Sequence, residues 1–557
     1  MRYFPAFLLL AVSLPAQAYV ITVNDAKSHG LVGDTKLSLD EAIQIVNLDN
    51  SARPAFLATL SAAEKAQIAP NPLSDDLIKV DAATVQLITY EKELTPIVTG
   101  IHQHQDMELL GIGEPTIDAK TYSSAFPVRT NHAHISGFRI VGGKTAIEAD
   151  TTLHYHPGDY GVFEDLHIEG QLEAGIRLPI TANPPGQSLP FKFAHCHVHG
   201  SPIGFHVVAN AQYPSLDVEI ENCHFENCVV GLCIESSTIG GILSVQVFRT
   251  SMVGSSTCIQ VRRTLAASDG QVFVRVLYGE YLASQHGIDI QGSTLGDTVV
   301  HAHQAWVRGG PNATDYCYRS YPKTARFDLH ASEMTFEGNL SILGSRDTKR
   351  VWHQNNRYLN GSFLIDNDGL TGVPELQWNV FESCPFTVGQ ASKTPFTIQQ
   401  CEFVRSPMAG NSLVGGSVTL NNCYRGSSAI SGAITDSNPA PQRWLGRATV
   451  SPAEPMVGTY VDLTLDYQPG MIGGWILGAS ELRPKTTNYP YRYYFNALNF
   501  VGLPGVYQLR DNLRVAIPNM PALVGVEFFA QPVAAPVNPQ PWQTTITMPT
   551  GGRFVVR

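Results

Sequence analysis

The sequence predicts an all-β chain built around a right-handed, single-stranded parallel β-helix, and three observations predict it. A short motif recurs along the chain, a third strand follows each copy at near-constant spacing, and one column of inward positions can be followed through the repeats. The motif reads apolar, any, apolar, any, a polar turn residue, then Cys or a large apolar residue, any, apolar. Its clearest copies run from Phe191 to Val198 and from Val218 to Phe225, with later ones from Phe396 to Phe403 and from Val418 to Cys423. Period-two alternation on both sides of a polar residue describes two short strands meeting at a bend.

The third strand appears as Ile147-Glu148-Ala149, Ile176-Arg177-Leu178, Phe205-His206-Val207, Leu232-Cys233-Ile234, Ile259-Gln260-Val261 and Ile288-Asp289-Ile290. Their starts lie 29, 29, 27, 27 and 29 residues apart. Three strands per repeat make one coil, and coils stack because none can bury its apolar interior alone. Neighbouring coils are then expected ~4.8 Å apart, the spacing of hydrogen-bonded strands. The inward column is expected at Phe138, Leu166, Cys196, Cys223, Phe248, Leu277, Ala305 and Met334, resuming at Phe381, Cys401 and Cys423. Stacked inward thiols are expected as small apolar groups rather than disulfides, because parallel Cβ vectors disfavour a bridge. The nine cysteines are an odd count, so at least one thiol stays free or pairs with another molecule.

The ends of the coil stack come next. Arg2, the apolar run Phe7 to Leu14 and the small-residue site Ala16-Gln17-Ala18 form a secretory signal peptide over residues 1–18. That run is too short to span a bilayer, so a secreted or bacterial cell-surface protein without a transmembrane segment is expected. Residues 19–77 are expected to form an N-terminal cap. Ser38 and Glu41 make a capping box that opens an amphipathic segment of Leu39, Ala42, Ile43 and Val46, with a second helix near Leu57 to Ile68. The β-helix should run from 78 to 435 and a linker from 436 to 444. Residues 445–557 show longer alternating strands, Val461 to Leu465, Leu513 to Ile517, Val524 to Ala530 and Phe554 to Val556, which suit a small antiparallel β-sandwich.

At the start of the stack, Leu37-Ser38-Leu39-Asp40-Glu41-Ala42-Ile43 resembles the Cys-Ser-Leu-Arg-Glu-Ala signature of exported β-helix proteins. Leu37 stands where that signature has Cys, and Asp40 where it has Arg. Leu94-Thr95-Pro96-Ile97 and Gly111-Ile112-Gly113 through Ile117-Asp118 are similar to that family's early coils. The resemblance implies export and a pectate-lyase-like β-helix superfamily fold. It implies no particular reaction, because that superfamily mixes lyases, hydrolases and adhesins. The segments Ile517-Pro518-Asn519 and Leu523-Val524-Gly525 resemble C-terminal modules of large secreted bacterial proteins.

Function is sought on the outward side of the coils. A net charge of −11 without a basic stripe excludes a nucleic-acid partner. One position past the inward column lie Arg139, His167, His197, His224, Arg249, Tyr278 and Trp306, a row of cations, imidazoles and flat rings. Arginines suit carboxylates, aromatic faces suit sugar rings, and imidazoles transfer protons. A second outward row on the third strand holds Glu148, Arg177, His206, Cys233, Gln260 and Asp289. Either row could serve an acidic polysaccharide, although an exposed polar column is the default exterior of any β-helix. No cofactor is called for. A metal on the stacked histidines is the weaker alternative, because coil spacing alone does not create tetrahedral geometry. The polygalacturonase set (Asn-Thr-Asp, Asp-Asp, Gly-His-Gly, Arg-Ile-Lys) and the pectate-lyase Arg-x-Pro-x-x-Arg run are absent. The expectation is therefore a glycan-binding, structural or adhesive protein whose partner is a polysaccharide or cell-envelope component. The alternative is a polysaccharide lyase or glycoside hydrolase.

Overall fold

Each short strand alternates apolar residues with polar ones, so one face turns inward and the other outward. In the computed structural model the described residues run from 18 to 440, less internal segments of one to eight residues, and continue as 447–451, 456, 459–466, 471–478, 512–517, 527–536 and 552–555. They form about ten turns of parallel β-solenoid, divided between two compact units. One unit holds the chain up to Leu172 with Leu189–Phe191; the other holds Glu173–Ser188 and Lys192 onward.

In the first unit, Ala18–Val23 pairs in parallel with Asp76–Asp81, which pairs with Met107–Ile112 and then Ala133–Ser136. The stack thus begins well before residue 78, with a strand at the very start of the described chain. Ala18–Val23 also takes Ile68–Asn71 as an antiparallel neighbour on its other edge. The capping box forms: the Ser38 hydroxyl accepts from Glu41 N, and the Glu41 carboxylate accepts from Ser38 N at 2.9 Å. Asp40, the departure from the signature, has its own work. Its carboxylate accepts from Thr95 N at 2.7 Å and from Gln44 Nε2 at 2.7 Å. Two short helices, Arg53–Thr59 and Ala62–Lys65, stand where one helix near Leu57 to Ile68 was expected. Arg53 is buried against Asp76 at 2.9 Å, and also donates to the Val46 and Leu48 carbonyls.

In the second unit the described coils up to Glu402–Val404 have three strands each. First strands such as Ser215–Glu221, Ile242–Phe248, Gln271–Leu277, Thr298–His303, Phe327–Ser332 and Arg350–Gln354 form one parallel ladder. Second strands of three residues, from His197–His199 to Glu402–Val404, form another. Third strands form the last, and here the expected register is met: Ile176, Phe205, Leu232, Ile259 and Ile288 are successive partners. A ring column fills the lumen where the coils tighten. Phe336, Tyr358, Phe381 and Phe403 stack with centroids 5.4, 4.7 and 4.8 Å apart.

The bend between first and second strands explains the cysteines. One residue per coil adopts a left-handed conformation there: His195, Asn222, Arg249, Tyr278, Gln304, Glu333, Asn355, Trp378, Gln400 and Asn422, with φ between 49° and 56°. The next residue faces inward, and in several coils its N–H donates to the inward side chain one coil further on. Cys223 N reaches Thr250 Oγ1 (3.4 Å), Met334 N reaches Asn356 Oδ1 (2.8 Å), and Asn356 N reaches Asn379 Oδ1 (2.9 Å). Asn379 N reaches Cys401 Sγ and Cys401 N reaches Cys423 Sγ, each at 3.4 Å. The position thus selects a compact side chain that can accept a hydrogen bond, because a buried unpaired N–H is costly. Serine repeats the device at a second bend, where Cys384 N donates to Ser406 Oγ and Ser406 N to Ser428 Oγ. All nine cysteines are buried, and none is in a disulfide.

This bend corrects the expected inward column at three places. Phe248 pairs with Glu221 and Leu277 with Phe248, on the outward side, and the inward positions are Thr250 and Gly279. Large apolar residues outside mimic lumen residues in the sequence. Gly279 leaves no apolar signal at all, since the Tyr281 ring fills its space: a Cβ there would lie 2.2 Å from Tyr281 Oη. Phe381 belongs two residues later, on the second strand, and Asn379 takes the bend position.

The ladder also continues past the expected end. Ile434–Pro439 pairs with Val418–Cys423, four residues into the segment read as a linker. Beyond it, Arg447–Ser451, Tyr460–Asp466 and Asn512–Ala516 form one antiparallel sheet, and Met471–Gly478, Glu527–Pro536 and Gly552–Val555 another. The signal-peptide segment 1–17 and the 518–526 portion of the C-terminal resemblance lie outside the described residues.

Candidate functional site

The outward row of the second strands is an open surface. In the first unit Arg139 and His167 are register partners; Arg139 pairs with Glu169 at 2.8 Å and His167 with Glu114, all well exposed. In the second unit the row runs His197, His224, Ser251, Glu280 and Trp306. Arg249 and Tyr278, expected in this row, are the left-handed bend residues of their coils, and Ser251 and Glu280 take their places. The error follows from the misplaced lumen positions at Phe248 and Leu277. The His197 and His224 rings lie 5.0 Å apart, tilted at 53°, and each contacts Glu226 Oε2, at 3.6 and 3.8 Å.

The third-strand row falls as expected but is sheltered. Glu148 lies in the first unit, paired with Arg129 at 3.1 Å. In the second, Arg177, His206, Cys233, Gln260, Asp289 and Arg319 are successive register partners. Asp289 has only 3% of its side chain exposed, and it holds Arg319 Nε at 2.7 Å. The Arg319 guanidinium lies over the Tyr316 and Tyr321 rings, 5.2 and 4.6 Å from their centroids. His206 faces Glu235 at 3.5 Å, and Arg262 reaches the other Glu235 oxygen at 3.3 Å. Burial lowers the His206 imidazole below its ordinary value, against the opposing pull of Glu235. Burial pushes the Cys233 thiol up to about 12.

A third arrangement, on the first strands, was not singled out from the sequence. Arg275, His301, His330 and Trp352 are register partners on four successive coils. The His301 and His330 rings lie 4.6 Å apart at 33°, and His330 and Trp352 lie 5.8 Å apart at 49°. Two residues along the strands, Phe248, Tyr278 and His303 make a second ring file, with centroids 5.3 and 5.8 Å apart. The Arg249 guanidinium covers Phe248 at 4.6 Å, and Arg275 donates to Gln246 Oε1 at 3.4 Å. All of these rings are partly exposed. Desolvation, with His330 and Arg275 close by, lowers the His301 imidazole. His330 Nε2 is bonded to Asp328 at 2.7 Å. The available signal was the alternation His301-Ala302-His303 and Asp328-Leu329-His330 on copies of the first strand, whose outward side carries no conspicuous motif.

Among the described residues two clusters place three metal-capable donors together: His197, His224 and Glu226, and His206, Cys233 and Glu235. No helix among the described residues is long and apolar enough to cross a membrane. No protein-family model matches the chain, and no curated protein matches it.

Proposed function

We propose that this chain is an exported right-handed β-helix protein, with an N-terminal cap and a C-terminal sandwich, that binds an extended acidic polysaccharide. The observation that carries the proposal is the pair of ring files on the first-strand face. A β-solenoid repeats every ~4.8 Å, so it offers one flat ring per coil to a polymer lying along the stack. Sugar faces pack on such rings through their C–H surfaces, and half-exposed rings are available for it. Arg249 and Arg275 supply the cations that carboxylated sugars require. Depletion from solution by insoluble polygalacturonate, with uncharged dextran as comparator, tests this. Retention on the acidic polymer that weakens as NaCl rises supports it, and equal indifference to both polymers contradicts it.

One observation favours a second reading, cleavage of the same polymer. His330 sits in the ring file with its imidazole oriented by Asp328, as a general base is held. A lyase would generate ultraviolet-absorbing unsaturated ends and a hydrolase new reducing ends. Loss of either product on His330→Ala would assign that role.

A further inference from the structure

On the third-strand face, Cys233 occupies an unusual place. Its position alternates with lumen residues Leu232 and Ile234, so the thiol points away from the lumen, yet the residue is 1% exposed. Along the sheet its register neighbours are His206 on one side and Gln260 on the other. Two residues along its own strand lies Glu235. Sγ is 3.9 Å from Glu235 Oε1, His206 Nε2 is 3.5 Å from Glu235 Oε2, and all three donors lie within 4.8 Å of one another. Two buried atoms here are poorly satisfied: His206 Nε2 has only its long contact with Glu235, and Gln260 Oε1 has no hydrogen-bond partner among the described residues. The first is a ring nitrogen with a lone pair in its neutral tautomer, and the second is an amide oxygen. Buried polar atoms of this kind normally find a partner.

We propose that His206, Cys233 and Glu235 bind a divalent transition ion of the zinc class, with Gln260 Oε1 beside them. Zinc-to-nitrogen and zinc-to-sulfur bonds of about 2.0 and 2.3 Å set tetrahedral donors about 3.3–3.8 Å apart, so the widest pair must close by about 1 Å on binding. Binding replaces the Cys233 S–H bond with a sulfur–metal bond and releases that proton to water. No electron changes hands. Thiolate and carboxylate together balance the ion's two charges, which matters because Arg177 and Arg262 also face His206. Arg262 stays on Glu235 Oε1 and orients the carboxylate, as an outer partner commonly does. The second cluster, His197, His224 and Glu226, lacks a thiol and lies in the open, with His197 41% exposed against 15% for His206. This site needs no polysaccharide, and it stands whether or not the ring files bind one.

The experiment is titration of the full chain, stripped with chelator, with cobalt(II) alone. Stoichiometry is read by equilibrium dialysis, and thiolate coordination by its sulfur-to-cobalt charge-transfer absorption. One cobalt per chain with that absorption, abolished in Cys233→Ser and retained in Cys228→Ser, supports the site. His206→Gln should weaken binding at least about tenfold, the loss that even an outer-shell partner can produce. Absence of the sulfur band in folded wild type overturns the proposal, as does its persistence in Cys233→Ser. If the serine variant fails to fold, undiminished binding by His206→Gln overturns it instead.

Discussion

His330 and His353 lie on neighbouring strands of one sheet, and they differ in everything that chemistry uses. His330 points outward, partly exposed, with its ring between His301 and Trp352 and its Nε2 on Asp328. His353 points inward beside Phe336 and Tyr358, is 3% exposed, and shares a 2.6 Å hydrogen bond with the Tyr358 hydroxyl. Burial pushes its imidazole down to about 3. One step along a strand therefore separates an outward ring held by a carboxylate from a neutral core ring. In a β-solenoid the side of the sheet decides the role of a residue type, and a slip of register exchanges the two.

That contrast breaks most sharply in the ring columns. Tyr358→Ala opens a cavity in the lumen stack and should cost about 3–5 kcal/mol. Trp352→Ala on the outward file should leave stability within about 0.5 kcal/mol. Denaturation midpoints of the two variants measure the difference, and comparable losses would mean that the two sides are not distinct.

Acid should weaken the fold through the inward histidine. Its folded value is depressed, so the unfolded chain binds the proton first as pH falls below its ordinary value of 6.5. The His353 contribution is whole above that value and is lost progressively on the way down to about 3. At pH 4 the loss should reach about 3 kcal/mol, taking about 1.4 kcal/mol per pH unit. His353→Leu should flatten the slope of stability against pH in this window; an unchanged slope would assign acid sensitivity elsewhere.

The bend ladder sharpens the comparison at smaller scale. Asn379→Ala leaves Asn356 N without its acceptor and should cost about 1–3 kcal/mol. Asn379→Cys should recover part of that loss, because Cys401 and Cys423 serve the same position further along. Equal melting temperatures for the two variants would show that the acceptor does not matter.

The third strands were fully legible because their inward residues, from Ile176 to Ile288, are large and evenly spaced. The lumen bend is legible where cysteine marks it or where an apolar residue stands there, as at Phe138, Leu166, Ala305 and Met334. Thr250, Gly279 and Asn356 belong to the same column but share no hydropathy, only size and, for Thr250 and Asn356, an accepting atom. Phe248 and Leu277 therefore mimic Thr250 and Gly279 in the sequence, which shifts Arg249 and Tyr278 from the bend onto the second strand. The site suffered for a different reason. Sequence columns place side chains on a face, but shelter depends on what surrounds that face. His197 and His206 read alike as outward histidines, and only the folded chain separates the open one from the sheltered one. The ring files carry no sequence motif: His301, His330 and Trp352 come together through register alone, and Phe248 reads in the sequence as a lumen residue.

The most direct test of the account is polygalacturonate binding by Trp352→Ala set beside Arg319→Ala, which alters the sheltered third-strand face instead. The ring files predict that Trp352→Ala lowers affinity by about 1 kcal/mol, roughly five- to tenfold in Kd. Arg319→Ala should bind like the unaltered chain. Affinity untouched by Trp352→Ala, or lost with Arg319→Ala alone, would contradict the assignment of the first-strand face.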